Sequence, residues 1–148
     1  ILTYKTCLNN TNADDIIKNY DVVVDCFDSF ESKFLLNKKC ITNNKILIHG
    51  GVSEFSGQVL TIIPGYSACL ECIFPNVKYQ DSIPKGIISP TVGVIGSIQA
   101  METVKTLLNF NKLLANCILS YDGIEQRFRK TPISQNESCS ICSCLKTS

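Results

Sequence analysis

The chain has 148 residues, 45% of them hydrophobic and 18% charged, enough apolar content for one packed domain and too much for a disordered tail. Lys plus Arg is 14 and Asp plus Glu is 13, so the net charge of +1 gives no broad field for nucleic acid or an anionic membrane. The longest apolar runs, such as residues 60–63, fall far short of a bilayer span, and the first five residues have no signal-peptide character. The chain lacks an initiator Met and is read as a piece of a longer protein.

Residues 1–4 fit the end of a strand. Asn12 as cap, with Asp14 and Asp15 in the first turn, marks a short helix ending near Lys18. Residues 21–26 form a run apolar on both faces, as in a buried parallel strand. Ser29 caps a helix to about Asn43, with Phe30, Phe34, Leu35 and Ile41 on its apolar side. Residues 45–49 read as a second buried strand closed by Gly50 and Gly51. The first fifty residues are therefore the back half of a doubly wound, Rossmann-like α/β sheet.

The rhythm then changes. Residues 52–55 and 58–63 alternate around Ser56 and Gly57, which predicts a hairpin turning there. Residues 66–91 are a long irregular stretch with three prolines, of the kind that is functional or braced by a metal. A helix follows to about Asn109, with Ser89 as cap, Pro90 at its first position, and Val94, Ile98, Met101, Val104 and Leu108 on one stripe. Residues 117–122 and 126–131 read as two further strands. The expected fold is thus a partial doubly wound α/β sheet continuing into mixed and antiparallel strands. It forms a single domain over 1–148, in which 51–148 is the zinc-braced part.

There are nine cysteines, an odd number unevenly spread, which disfavours a secreted disulfide scaffold. Cys7, Cys26, Cys40 and Cys117 stand alone. Cys69 and Cys72 form one Cys-x-x-Cys knuckle and Cys139 and Cys142 a second. A two-residue gap lets both thiolates face one point, and two knuckles complete a tetrahedral zinc site with no open position, hence a structural one. An iron–sulfur cluster is the main metal alternative, and Cys144 is an alternative ligand to Cys142.

Asp28 follows the first buried strand, where ligands of open α/β sheets bind, and a carboxylate there can hold Mg²⁺ over phosphates. The competing reading is a cap on the following helix. Asp25 reads as a structural hydrogen-bonding group at the strand end. His49, the single histidine, lies beside Gly50 and Gly51 and reads as a satisfied structural residue. Gly93 and Gly96 read as small residues for close helix packing. Arg127 and Arg129 share one face of the last strand, either as exposed charges or as contacts for a partner.

Four features stand in order: Tyr-Asp-Val-Val-Val-Asp-Cys-Phe-Asp over 20–28, the paired knuckles, the glycine-bearing segment 86–102, and Tyr121-Asp122-Gly123. Together they resemble the MoeB/ThiF/HesA family, relatives of the ubiquitin-activating enzymes, over nearly the whole chain. The resemblance implies an adenylyltransferase that uses Mg²⁺ and ATP to adenylate the C-terminal Gly-Gly of a ubiquitin-like sulfur-carrier protein in the cytoplasm. It also implies a homodimer with a four-cysteine structural zinc. It makes Asp28 the Mg-ATP aspartate and places Ser29, Lys33 and Asn37 in the nucleotide site, Ser29 standing where Asn is usual and Lys33 where Arg is common. A solvated helix face is the competing reading for Lys33 and Asn37. The family's glycine loop and its phosphate-binding Arg and Lys would precede Ile1. Ser82 stands where many relatives carry a loop cysteine, and a serine hydroxyl cannot form a persulfide or thioester, so adenylation without sulfur transfer is expected. The alternative is a catalytically inactive relative acting as a zinc-stabilised binding module. A nicotinamide-dependent enzyme is weaker, because it leaves the cysteine pairs unexplained.

Overall fold

In the computed structural model the described residues are 1–75 and 86–143; Ser82 and Cys144 lie outside them. The elements run α1 (Ala13–Ile17), β1 (Val22–Val24), α2 (Phe30–Thr42), β2 (Ile46–Ser53), β3 (Ser56–Ile62), α3 (Leu70–Ile73), α4 (Ser89–Leu107), β4 (Cys117–Asp122) and β5 (Arg127–Pro132). They build an open mixed sheet in the order β1-β2-β3-β4-β5. The β1–β2 pair is parallel and the others are antiparallel. No helix is long and apolar enough to cross a membrane.

Side chains alternate across the pleat, so the sheet buries two faces. Leu47, Leu60 and Ile62 pack with α1, α2 and the cysteine knuckles. Ile48 and Val59 pack with Ile95 of α4 and with Leu114. Both long helices end with an Asn in the left-handed region, Asn44 after α2 and Asn109 after α4. In each the following amide reaches back to close the last turn, Lys45 N to Cys40 O at 2.8 Å and Phe110 N to Lys105 O at 2.9 Å.

Several sequence expectations need correction. Residues 1–4 form no strand. Asn12 precedes α1, but its side chain makes no cap bond and instead accepts from the amide of Asn9. β1 is only partly buried, because it is the outermost described strand and β2 alone pairs with it; Cys26 beyond it is exposed. In α2 the inward positions include Lys33 and Asn37, while Phe30 is exposed. The hairpin turns at Glu54 and Phe55, two residues before the expected place, since Ser53 pairs with Ser56.

Gly50, Gly51 and Gly57 lie inside strands and end nothing. Two of them make room for α4. A Cβ on Gly50 would lie 2.4 Å from the Gln99 side chain, and one on Gly57 2.3 Å from Ile95 Cγ1.

α4 faces the sheet through Thr91, Ile95, Gln99, Glu102 and Thr106. Gln99 Nε2 donates to the carbonyls of Asp25 (2.8 Å) and Ile48 (3.2 Å). The buried Glu102 accepts from Thr61 Oγ1 and from the Leu114 amide, both at 2.8 Å, and pairs with Lys105. These polar ties take the inward face, so the expected apolar stripe is misplaced: Met101, Val104 and Leu108 are exposed. A Cβ on Gly93 or Gly96 would meet nothing within 4 Å among the described residues, so neither glycine serves close packing there. The helix begins at Ser89 after Ile88, so Ser89 is not the cap.

Gly57→Ala is expected to lower stability by about 1–3 kcal/mol, the usual cost of overpacking. In urea titrations the losses of Gly57→Ala and Ile95→Ala should be less than additive in the double variant, because the second change removes the atom the new methyl meets.

Candidate functional site and cysteine cluster

A cavity of about 870 Å³ opens at the carboxyl ends of β1 and β2. Asp28 and the first turn of α2 form one side. His49, Gly51 and Gln58 line its sheet wall, and Arg127 and Arg129 of β5 stand opposite. Asp28 is exposed, and its carboxylate has no hydrogen-bond partner among the described residues. It does not cap α2. Ser29 does, accepting from the Ser32 amide at 3.2 Å while its hydroxyl also bonds Ser32 Oγ. The Asp28 carboxylate is therefore left to the cavity, and the Ser29 hydroxyl is already engaged. Across the cavity, Asp122 is partly committed to its own turn, accepting from the amides of Ile124 and Glu125.

Beneath the cavity lies a buried charge cluster. Asp25 Oδ2 is 3.0 Å from Lys33 Nζ and 2.7 Å from His49 Nδ1, and Oδ1 accepts from the Phe27 amide at 3.0 Å. Lys33 Nζ also donates to the Gly50 carbonyl at 2.7 Å. Lys33 is thus no solvated side chain. It crosses from α2 to the ends of both parallel strands. Burial works to raise the Asp25 carboxyl, but the hydrogen bond to His49 and the charge on Lys33 outweigh it and hold it below the usual aspartate range. Burial lowers His49 below its ordinary value, against the pull of Asp25. The cluster is an ionised acid, a cation and a neutral imidazole.

Asn37, one helical turn beyond Lys33, does not reach the cavity. It is buried, and its Oδ1 accepts from the Leu70 amide at 3.2 Å, tying α2 to the helix that follows Cys69. That short α3 is a helix within the stretch that the sequence reads as irregular.

The Cys69, Cys72, Cys139 and Cys142 sulfurs all lie within 4.8 Å of one another. The Cys69–Cys72, Cys69–Cys139 and Cys72–Cys142 distances are 3.8, 3.6 and 3.3 Å. A tetrahedral metal–sulfur centre with bonds of about 2.3 Å sets its sulfurs roughly 3.8 Å apart, so the four fit one ion. The Asn136 amide points at Cys72 Sγ from 3.4 Å, the kind of donor that supports a thiolate. Burial pushes the Cys69 thiol up to about 12 and raises Cys142 as well. Four thiolates here would repel one another without a cation among them, and the cluster could hold a metal ion. Of the solitary cysteines, Cys40 is buried and its thiol is pushed up to about 12, which makes it inert.

A ThiF family model matches residues 1–142, and the chain belongs to the ThiF family. Among curated relatives, it is 36% identical over 146 residues to the adenylyltransferase and sulfurtransferase MOCS3 of Dictyostelium discoideum, covering 95% of this chain and 34% of that protein. It is 33% identical to a sulfur carrier protein adenylyltransferase of Thermus thermophilus, covering 94% of this chain and 55% of the relative. The SAMP-activating enzyme E1 of Haloferax volcanii is 32% identical, at 91% and 51% coverage. The chain thus spans about a third to a half of the length of these relatives. Crystal structures of E. coli MccB share the fold: the ATP complex superposes with a TM-score of 0.74 at 20% identity, covering 92% of this chain and 44% of that one.

The charge cluster makes stability depend on pH. Below the ordinary histidine value of 6.5 the unfolded chain takes a proton on His49 that the folded chain refuses, so stability falls with pH from there. Asp25, depressed from 3.8, adds a second loss at lower pH, where the unfolded carboxyl protonates first. Urea midpoints between about pH 7.5 and 5 should fall for the wild type and flatten in His49→Gln; equal slopes would mean that His49 titrates freely.

Proposed function

We propose that the protein to which this chain belongs adenylates the C-terminal Gly-Gly of a ubiquitin-like sulfur-carrier protein, and that the 148 residues act as one domain. An oxygen of the carrier's terminal carboxylate attacks the α-phosphorus of ATP. The bond between the α- and β-phosphates breaks and pyrophosphate leaves. The observation that carries this reading is the free Asp28 carboxylate at the mouth of a strand-end cavity whose far wall holds Arg127 and Arg129, in a chain of the ThiF family. Asp28 would hold Mg²⁺, which supplies charge neutralisation on the phosphates. The two arginines suit the carboxylate and acidic side chains of an incoming tail. Lys33 keeps this end of the sheet rigid beneath the phosphates.

We assign the cysteine cluster to zinc. Four thiolate ligands leave no open position, so the ion is structural and fastens α3 to the C-terminal segment. Ser82 offers a hydroxyl in place of a thiol, which fits adenylation with sulfur delivered by another protein. The outer face of α4 suits a homodimer: Val92, Met101, Val104 and Leu107 are exposed beside Gly93, Gly96 and Ala100, which would let a second copy approach closely.

The alternative is an inactive relative that acts as a zinc-stabilised, carrier-binding module. Carrier-dependent exchange of pyrophosphate into ATP by the full-length protein separates the two. Wild type should exchange, and Asp28→Ala should lose at least about a hundredfold while keeping its circular dichroism. A wild type that binds carrier but does not exchange would establish the module. Normal exchange in Asp28→Ala would remove Asp28 from the site. Metal analysis should give about one zinc per chain. Cys69→Ser or Cys139→Ser should lose the metal and stability together, and Cys7→Ser should lose neither.

A further inference from the structure

His49 is only 3% exposed, and its two ring nitrogens face different surroundings. Nδ1 bonds Asp25, whereas Nε2 has no hydrogen-bond partner among the described residues. The ring lines the cavity, and the Cβ that Gly51 lacks would sit 3.6 Å from Nε2. Nε2 is enclosed in the free protein, but no Cβ stands at Gly51, which also lines the cavity; the Gln58 side chain, 3.5 Å from that same position, is the other group beside the nitrogen.

The tautomer follows from the partners. Asp25 is ionised and receives Lys33, His49 and the Phe27 amide, so it can only accept. The proton of the 2.7 Å contact must then sit on Nδ1. Lys33 shares the same carboxylate oxygen, so one full positive charge already balances Asp25 and the ring stays neutral. A neutral ring protonated at Nδ1 carries a lone pair at Nε2.

We propose that His49 Nε2 is an acceptor subsite of the cavity, which takes an N–H or O–H donor of the bound substrate and turns away phosphate and carboxylate oxygens. Buried acceptors left unpaired cost the ligand that fails to supply a donor, so the site orients as well as binds. In a cavity otherwise lined by the charged groups Asp28, Asp122, Arg127 and Arg129, this is the place for a neutral donor group. The subsite rests on the adenylation reading for its two sources of donor: a hydroxyl or amino group of the nucleotide, or a glycine amide of the carrier tail.

Nitrogen NMR of the full-length protein labelled in histidine tests it, with His49→Gln assigning the signals. In the free protein at neutral pH, Nδ1 should be protonated and Nε2 not. Saturating Mg-ATP alone, or a peptide ending in Gly-Gly alone, should then shift Nε2, and the probe that does so names the source. Gly51→Ala, whose new methyl makes only ordinary contacts, should weaken that probe's binding about tenfold. A proton on Nε2 in the free protein, or an Nε2 signal unmoved by both probes in a protein that exchanges pyrophosphate, overturns the subsite while leaving the adenylation reading intact. Failure of both probes to bind overturns both.

Discussion

One buried carboxylate organises this end of the molecule. Asp25 directly follows β1, and its side chain gathers Lys33 from α2 and His49 from β2. Its backbone carbonyl takes Gln99 from α4 and its amide binds the Ile48 carbonyl. Four elements on both faces of the sheet therefore meet at one residue. An ion so deeply buried is tolerable only because every oxygen is matched, and removing one partner of such a pair typically costs about 3–5 kcal/mol. The arrangement fixes the cavity wall to within hydrogen-bond tolerance, which chemistry on a bound nucleotide would require.

The second fixed point is the cysteine cluster, and α2 joins the two. Lys33 and Asn37 lie one turn apart on its inner face; the first reaches the carboxylate and the second holds the amide of Leu70 beside Cys69. A helix clamped at both points cannot shift toward or away from the cavity without breaking a buried polar contact. A metal among the four thiolates would thus stiffen the cavity from a distance, through α2. The α4 helix fixes the other face by pressing Gln99 and Ile95 onto two glycines.

Much of this was legible in the sequence. The strand at residues 117–122, the Ser29-capped helix, both Cys-x-x-Cys knuckles and the strand-end position of Asp28 follow from local rules of spacing, capping and alternation. What stayed hidden depends on packing between distant segments. Gly50 and Gly57 look like strand terminators, but they are glycines because α4 lies on them. The hydrophobic pattern of α4 pointed to the wrong face, because its inward positions carry Gln99, Glu102 and two threonines that satisfy buried polar groups. Asp25 and His49 each stand at a strand end in the sequence, yet their pairing needs the β1–β2 register, in which Val24 stands opposite Ile48. Lys33 gave no local sign of burial, since a lysine on a helix ordinarily faces solvent.

If the Asp25 carboxylate is the organising interaction, removing its charge and the Lys33 charge together must do less harm than the two single losses added together. A double-mutant cycle of Asp25→Asn and Lys33→Met, read as unfolding free energy at pH 7, measures this directly. The expected coupling is about 1–3 kcal/mol, with the double variant more stable than at least one single variant, because neither charge is then left buried without its partner. Additive losses, with the double variant less stable than both singles by their sum, would show that the two charges do not support each other and would contradict the account.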